Sequence, residues 1–511
     1  MSTSSAPNPN RWWTLAAVVV ATFMLLLDIT IVNVALPAIQ KDFSADLTDL
    51  QWVIDAYALS LAALQLTSGS LADLRGRKLV FMLGMAIFTA ASFLCGLATS
   101  STFLNLARCL QGVGGAMMFA TSLALLAAAF VGRERGVAFG VWGATIGASV
   151  AVGPLIGGAI TDGLGWEWIF FVNVPIGILA IVFTQRKVDE SRNPNARGID
   201  WPGLIVWSAG LLLLVLGLIR GNAQGWGSAK TVIELGGAVL LIVAFLIIES
   251  RRREPMLDLP LFRKPAFAGV SIVAFVLSAA MFSMFLYLTL YIQNGLGYTP
   301  FETGLRFLPL TIVSFFVAAA AGRLVHVVPA RVMFGIGLGL VGLALLLMHG
   351  ITLSSDWTTL LGGFVCAGAG VGLTNPTIAQ VAVGVVEPAR SGMAAGINNT
   401  FRQVGIATGI AGLGAIFQSR VESKATSLLT ASGMGGPRAS TVAHAIATQQ
   451  GGGRGGGPIA KVAQVSFISA LNEILLVAAV VAFTGAVLGT LLVRSQDFAH
   501  GTEPEAAPAA A

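Results

Sequence analysis

Apolar runs recur along the whole chain, each with about the 20 residues a helix needs to cross a hydrocarbon core of roughly 30 Å. Fourteen are read, at 12–36, 50–71, 79–98, 102–130, 136–160, 167–185, 202–219, 231–249, 266–292, 303–322, 332–349, 357–382, 392–417 and 466–493. They predict an all-α membrane protein with fourteen transmembrane helices. Composition agrees: of 511 residues 55% are hydrophobic and only 11% charged, with 61 glycines. A soluble chain carries about a quarter charged residues to cover its surface, so lipid must cover most of this one. The first run is too long for a signal peptide and the segment before it lacks a basic stretch, so it is expected to remain as the first span.

The net charge of +6 does not point to nucleic acid, because the basic residues stand singly or in short groups between apolar runs. They fit a topology signal instead. With a cytoplasmic N-terminus, Arg75, Arg77, Lys78, Arg133, Arg135, Arg186, Lys187, Arg192, Arg251, Arg263, Lys264 and Arg331 fall in inward loops, against Lys41, Arg220 and Lys230 outside. Both termini are therefore expected in the cytoplasm. Cys95, Cys109 and Cys366 lie in apolar runs without C-x-x-C spacing and read as small buried hydrophobes. The four histidines are scattered, and neither H-E-x-x-H, a Walker loop nor G-x-S-x-G is present. No enzyme, metal or cofactor is expected, and ATP is not expected to drive any work.

The inward loop after the second span reads Gly69-Ser-Leu-Ala-Asp-Leu-Arg-Gly-Arg-Lys78, which resembles the signature of the major facilitator superfamily. Leu27-Asp-Ile-Thr-Ile-Val-Asn-Val-Ala-Leu-Pro37, Arg108-Cys-Leu-Gln-Gly112, the glycines around Gly153-Pro154 and Trp166-Glu-Trp-Ile-Phe-Phe-Val-Asn-Val-Pro-Ile-Gly177 follow in order. They resemble the fourteen-span drug/proton antiporter branch, nearest the EmrB/QacA type. The resemblance implies two six-helix bundles, 12–185 and 266–493, rocking about a midplane site. Two inserted helices occupy a linker, 186–265. Residues 1–11 and the low-complexity 494–511 would be cytoplasmic ends. Residues 418–465, with Gly-Gly-Gly-Arg-Gly-Gly-Gly at 451–457, would form a loosely packed outer loop.

Function then follows as an expectation: a monomeric antiporter exporting small, apolar or amphipathic drug-like molecules from the membrane or cytosol, driven by protons. An exporter or flippase for a specific lipid, siderophore or antibiotic is the alternative, and a nontransporting sensor or scaffold a remoter one. Asp28 lies about nine residues, roughly 13 Å, below Pro37. A charge at that depth is expensive, which suits a group that takes and releases a proton and is visited in turn by the guest. Arg108 reaches a similar depth, so it is read either as a switchable partner or as a permanent strut. Asp55, about 8 Å into its span, is either a helper or a solvated end. Gly69, Asp73, Arg75, Gly76, Arg77 and Lys78 are implied to latch one conformation, Asp73 by holding a neighbouring helix N-terminus. Gly147, Gly153, Pro154, Gly157 and Gly158 let the fifth span touch and slide, the pattern implied for antiporters. Phe275, Met281, Phe282, Phe285 and Tyr287, with Gln65, Asn375 and Arg402, are candidate guest contacts. Arg402 should face a cavity, unless Asn398, Gln403 or carbonyls satisfy it. No carboxylate stands in the thirteenth span, where some exporters of dicationic drugs carry one, which argues against a dication.

Overall fold

The computed structural model describes residues 10–130, 132–192, 198–252, 255–324, 327–386, 391–449 and 457–494. The helices are α1 (Arg11–Phe43), α2 (Leu47–Arg75), α3 (Arg77–Gly96), α4 (Ser101–Ala129), α5 (Gly132–Gly163), α6 (Trp168–Phe171), α7 (Asn173–Lys187), α8 (Trp201–Gln224) and α9 (Ala229–Arg251). They continue with α10 (Pro265–Leu290), α11 (Pro300–Leu324), α12 (Ala330–Leu347), α13 (Leu361–Gly384), α14 (Ser391–Ala431), α15 (Gly436–Gln449) and α16 (Pro458–Leu492). Among the described residues, twelve spans are long and apolar enough to cross a membrane, α6 and α7 counting as one. α2 and α5, with 29 and 32 residues, are as long but less apolar. Both lie between bundles, α2 against α4 and α14, α5 against α1 and α11. Helices that face protein rather than lipid need less apolar surface, so these two complete a set of fourteen.

α1–α7 form one bundle and α10–α16 the other, with α8 packed on α2 and α14 and α9 outside it. α1 is buried on every side from Met24 to Pro37, as a helix that is apolar all round must be. Contacts between separate segments bring basic residues together at one end. There Arg11 meets Glu134 at 2.9 Å. Arg77 donates to the carbonyl of Ala124 and Lys264 to that of Val385. At the far end Trp166 donates to Asp42 and Asn472 receives the amides of Gly350 and Ile351.

Three expectations need correction. Residues 418–449 are helical rather than a loose loop: α14 runs on to Ala431, and α15 folds back to bury Ala439 and Ala443 against Ala425 and Leu429. Residues 450–456 and the tail from 495 lie outside the described residues. Cys109 is exposed on the outer surface of α4, unlike buried Cys95, because lipid accepts a thiol as readily as a core does. Gly69 meets open space, with nothing within 4 Å of an added Cβ, so it mediates no close helix approach here.

Candidate functional site

The Gly69–Lys78 segment turns sharply at Gly76, whose φ of +120° is strained for any residue with a side chain. Asp73 does not hold a neighbouring helix N-terminus; its carboxylate pairs with Arg77 at 2.9 Å. That task falls to Glu190, from the strand of chain after α7. Its carboxylate accepts the amides of Lys78 at 2.9 Å and Leu79 at 3.1 Å, capping α3. Lys78 Nζ in turn donates to the carbonyl of Gln185, and Arg75 stays exposed. An added Cβ on Gly76 would stand 2.6 Å from the Glu190 carboxylate. Gly76→Ala should therefore lower stability by about 1–3 kcal/mol, read as a lower melting temperature in detergent. Part of that loss should vanish in a Glu190→Ala background, and additivity of the two would show that they do not share a site.

Deeper in the same bundle, Asp28 on α1 and Arg108 on α4 meet at 2.5 Å, each 1% exposed. Gln111 donates to Asp28 Oδ1 at 2.9 Å and Asn173 at 3.2 Å. Both amides also donate to Ser92 on α3. Arg108 bonds the carbonyl of Val53 and Gln111 Oε1, and lies 4.3 Å from the Tyr57 ring centroid. The charge pair is thus enclosed by donors and an aromatic face, the arrangement that makes a buried pair tolerable. Sequence reasoning placed Asp28 and Arg108 at one depth but missed Gln111, Asn173 and Ser92. Gln111 and Asn173 nonetheless lie inside two of the motifs it singled out.

Asp55 is fully buried, which excludes the solvated-end reading. Among the described residues neither of its oxygens has a hydrogen-bond partner. One turn earlier on α2, Gln51 crosses to the other bundle, reaching Tyr287 Oη at 3.3 Å and the carbonyl of Ile410. Tyr287 stacks on Phe417 at 4.8 Å, so it belongs to this junction rather than to a guest site. Gln293 donates to the carbonyl of Val34 at 2.8 Å and Asn294 to Gln40. All these bonds between bundles fall in the far half. The glycines of α5 tighten the same half: an added Cβ on Gly157 would meet the carbonyl of Ile31 at 2.9 Å, one on Gly153 would strike Thr30, and one on Gly158 the backbone of Pro300 and Phe301. Pro154 abuts Gly304 of α11. An added Cβ on Gly140 or Gly143 would meet nothing within 4 Å, and the surroundings of Gly147 lie outside the described residues.

Between the bundles is a small cavity of about 20 Å³, enough for a water molecule. α1, α4 and α5 line it with Leu26, Ile29, Thr30, Phe119 and Ile146, and α10 and α14 with Phe282, Asn399, Arg402, Gln403 and Ile406. Of the guest contacts expected from sequence, only Phe282 and Arg402 reach it. Met281 is buried in the second bundle, Phe285 packs on Phe307, and Phe275 presents its carbonyl to Gly405. Gln65 is 1% exposed; among the described residues neither its amide atoms nor Asn375 Oδ1 has a hydrogen-bond partner, and neither residue lines the cavity. Asp28 does not line it: Leu26, Ile29 and Thr30 face the cavity while Asp28 turns into its own bundle. The expectation of one carboxylate visited by both proton and guest is corrected accordingly in this conformation.

The chain resembles known proteins throughout its length. It is 38% identical over 410 residues to the multidrug resistance protein Stp of Mycobacterium tuberculosis, covering 80% of this chain and 76% of that one. It is 32% identical to the tetracenomycin C resistance and export protein of Streptomyces glaucescens, over 98% and 94% of the two chains. Among solved structures, an inward-facing, unoccupied bacterial homologue of the human lysosomal transporter Spinster superposes with a TM-score of 0.62 at 18% identity, over 96% of this chain and 98% of that one. The profile of the Major Facilitator Superfamily matches residues 18–410. With two bundles, an enclosed charge pair and a cavity between them, the chain belongs to the Major Facilitator Superfamily.

Proposed function

We propose that this protein exports small apolar or amphipathic molecules from a bacterial cell in exchange for protons, by alternating access. The observation that carries the reading is the Asp28–Arg108 pair. It sits on the inner face of α1, whose opposite face lines the cavity between bundles. Protonating Asp28 removes the attraction to Arg108, loosens α1 from α4 and changes the wall that the guest touches, so proton and guest are coupled through one helix without sharing a carboxylate. The relatives named for multidrug resistance and for tetracenomycin C export support a drug-like guest. The basic end faces the cytoplasm, which leaves the sealed half outside and the cavity to be reached from within or from the inner leaflet. The proton gradient drives the cycle, no cofactor takes part, and one chain suffices.

Purified protein in proteoliposomes, given a pH gradient and a panel of dyes and antibiotics, tests the reading. Uphill movement of at least one guest, with matching dissipation of the gradient, is expected. Movement that ignores the gradient would refute proton exchange.

Asp55 is assigned a second proton. Among the described residues no donor or cation meets the Asp55 carboxylate in its fully buried site, where an unpaired charge is costly. Asp55→Asn should leave the melting temperature unchanged and slow export by on the order of tenfold or more. A large loss of stability with normal export would make Asp55 a structural residue only.

A further inference from the structure

Arg402 is a cation without a counter-charge among the described residues. It lies on α14 at the wall of the cavity, which Thr30 and Phe119 of the other bundle and Phe282 of its own also line. Among the described residues no carboxylate pairs with it; the ion pairs of the two bundles use other arginines. The partners considered from sequence are otherwise placed: Asn398 donates to the carbonyl of Val270, and buried Gln403 Oε1 accepts from no donor among the described residues. Asp28 is fully engaged in the cage on the other side of α1. A guanidinium presented to a small water-sized space, beside two phenyl rings, is half of a recognition site whose other half must be brought in.

We propose that the guest of this cavity is an aromatic amphiphile carrying one anionic group, and that Arg402 binds that group while Phe119 and Phe282 receive the rings. The proposal rests on the export reading above and adds the substrate class to it. Arginine suits the task because its planar fork binds carboxylate, sulfonate or enolate oxygens in pairs and keeps its charge in an apolar setting. A neutral guest would leave the guanidinium without a counter-charge in the closed cavity, and a cationic guest would be repelled. An anion leaving the cell also moves charge in the same direction as an entering proton, so an inside-negative membrane potential favours both steps.

The test uses two probes of one skeleton: 8-anilino-1-naphthalenesulfonate and the uncharged N-phenyl-1-naphthylamine, with ethidium as the cation, in proteoliposomes under a pH gradient. Wild type should move the sulfonate faster than the amine, and ethidium least. Arg402→Gln should cut sulfonate transport at least about tenfold and leave the amine within about twofold, and Arg402→Lys should fall between. Retained amine transport shows that the variant is folded. An unchanged sulfonate-to-amine ratio in Arg402→Gln overturns the proposal, and so does an equal loss of all three probes, which would make Arg402 part of the moving scaffold. If wild type moves none of the probes nor any other guest against its gradient, the export reading itself fails. If it moves ethidium best, export stands and the anionic class falls.

Discussion

Asp28→Asn should abolish proton-driven export while leaving a folded transporter that still exchanges guest down its own gradient. Asparagine keeps the volume and still accepts from Gln111 and Asn173, but it neither titrates nor carries charge. Arg108, 1% exposed, then stands buried without its counter-ion. Losing one partner of a buried pair costs about 3–5 kcal/mol, so the conformation that needs the pair is disfavoured by a factor of roughly 100 or more. Efflux coupled to a pH gradient should fall by about that factor, and guest addition should no longer dissipate the gradient. Adding Arg108→Gln removes the stranded cation. The double variant should regain the thermal stability lost in the single one and still fail to couple. Asp28→Asn that pumped uphill at the normal rate would falsify the assignment of the coupling proton.

What the sequence makes legible divides along physical lines. The fourteen helices were legible because lipid permits few alternatives to a run of about 20 apolar residues. Asp28 and Arg108 were legible because two opposite charges at one depth in such runs are costly and must find each other. The direction in which Asp28 faces was not. α1 is apolar on all sides, and a helix without a polar face gives no sign of which neighbour each residue meets. Gln111, Asn173 and Ser92 were invisible as a set because neutral polar residues in membrane helices have many uses and these three come from three separate helices. Glu190 lies more than a hundred positions from the amides it caps, so no local pattern announces it. The helical hairpin at 418–449 had a signal that composition masked. Ala425 and Leu429, like Ala439 and Ala443, stand four apart and share a helix face, but small and polar neighbours made the segment resemble a linker.

Gly158→Val should prop the far half open. Gly158 of α5 lies directly against the backbone of α11, where an added Cβ would be 2.9 Å from the Cα of Phe301 and closer still to the carbonyl of Pro300. Backbone at a helix start cannot step aside as a flexible side chain can, and from the other direction Gly304 has the same relation to the Pro154 carbonyl, with an added Cβ at 2.5 Å. The contact is therefore glycine against backbone on both helices, and it exists only while the bundles are closed at this end. Forcing methyl groups into such a contact costs about 1–3 kcal/mol, charged against the closed state alone, because in the open state the two helices have parted. The balance of states should shift by roughly 10–100-fold. Thr303 is fully buried beside Gly304 and reports on this directly. In a chain lacking Cys95, Cys109 and Cys366, Thr303→Cys should react slowly with a membrane-impermeant maleimide added from the far side, and at least about tenfold faster once Gly158→Val is present. Export should fall in parallel, since a transporter held open on one side completes few cycles. Gly143→Val is the control on the same helix: nothing lies within 4 Å of its added Cβ, so both labelling and export should stay near wild type. If Gly158→Val labels and exports like Gly143→Val, the seam between α5 and α11 is packing alone and the gate must be sought in the α2–α14 junction around Gln51 and Tyr287.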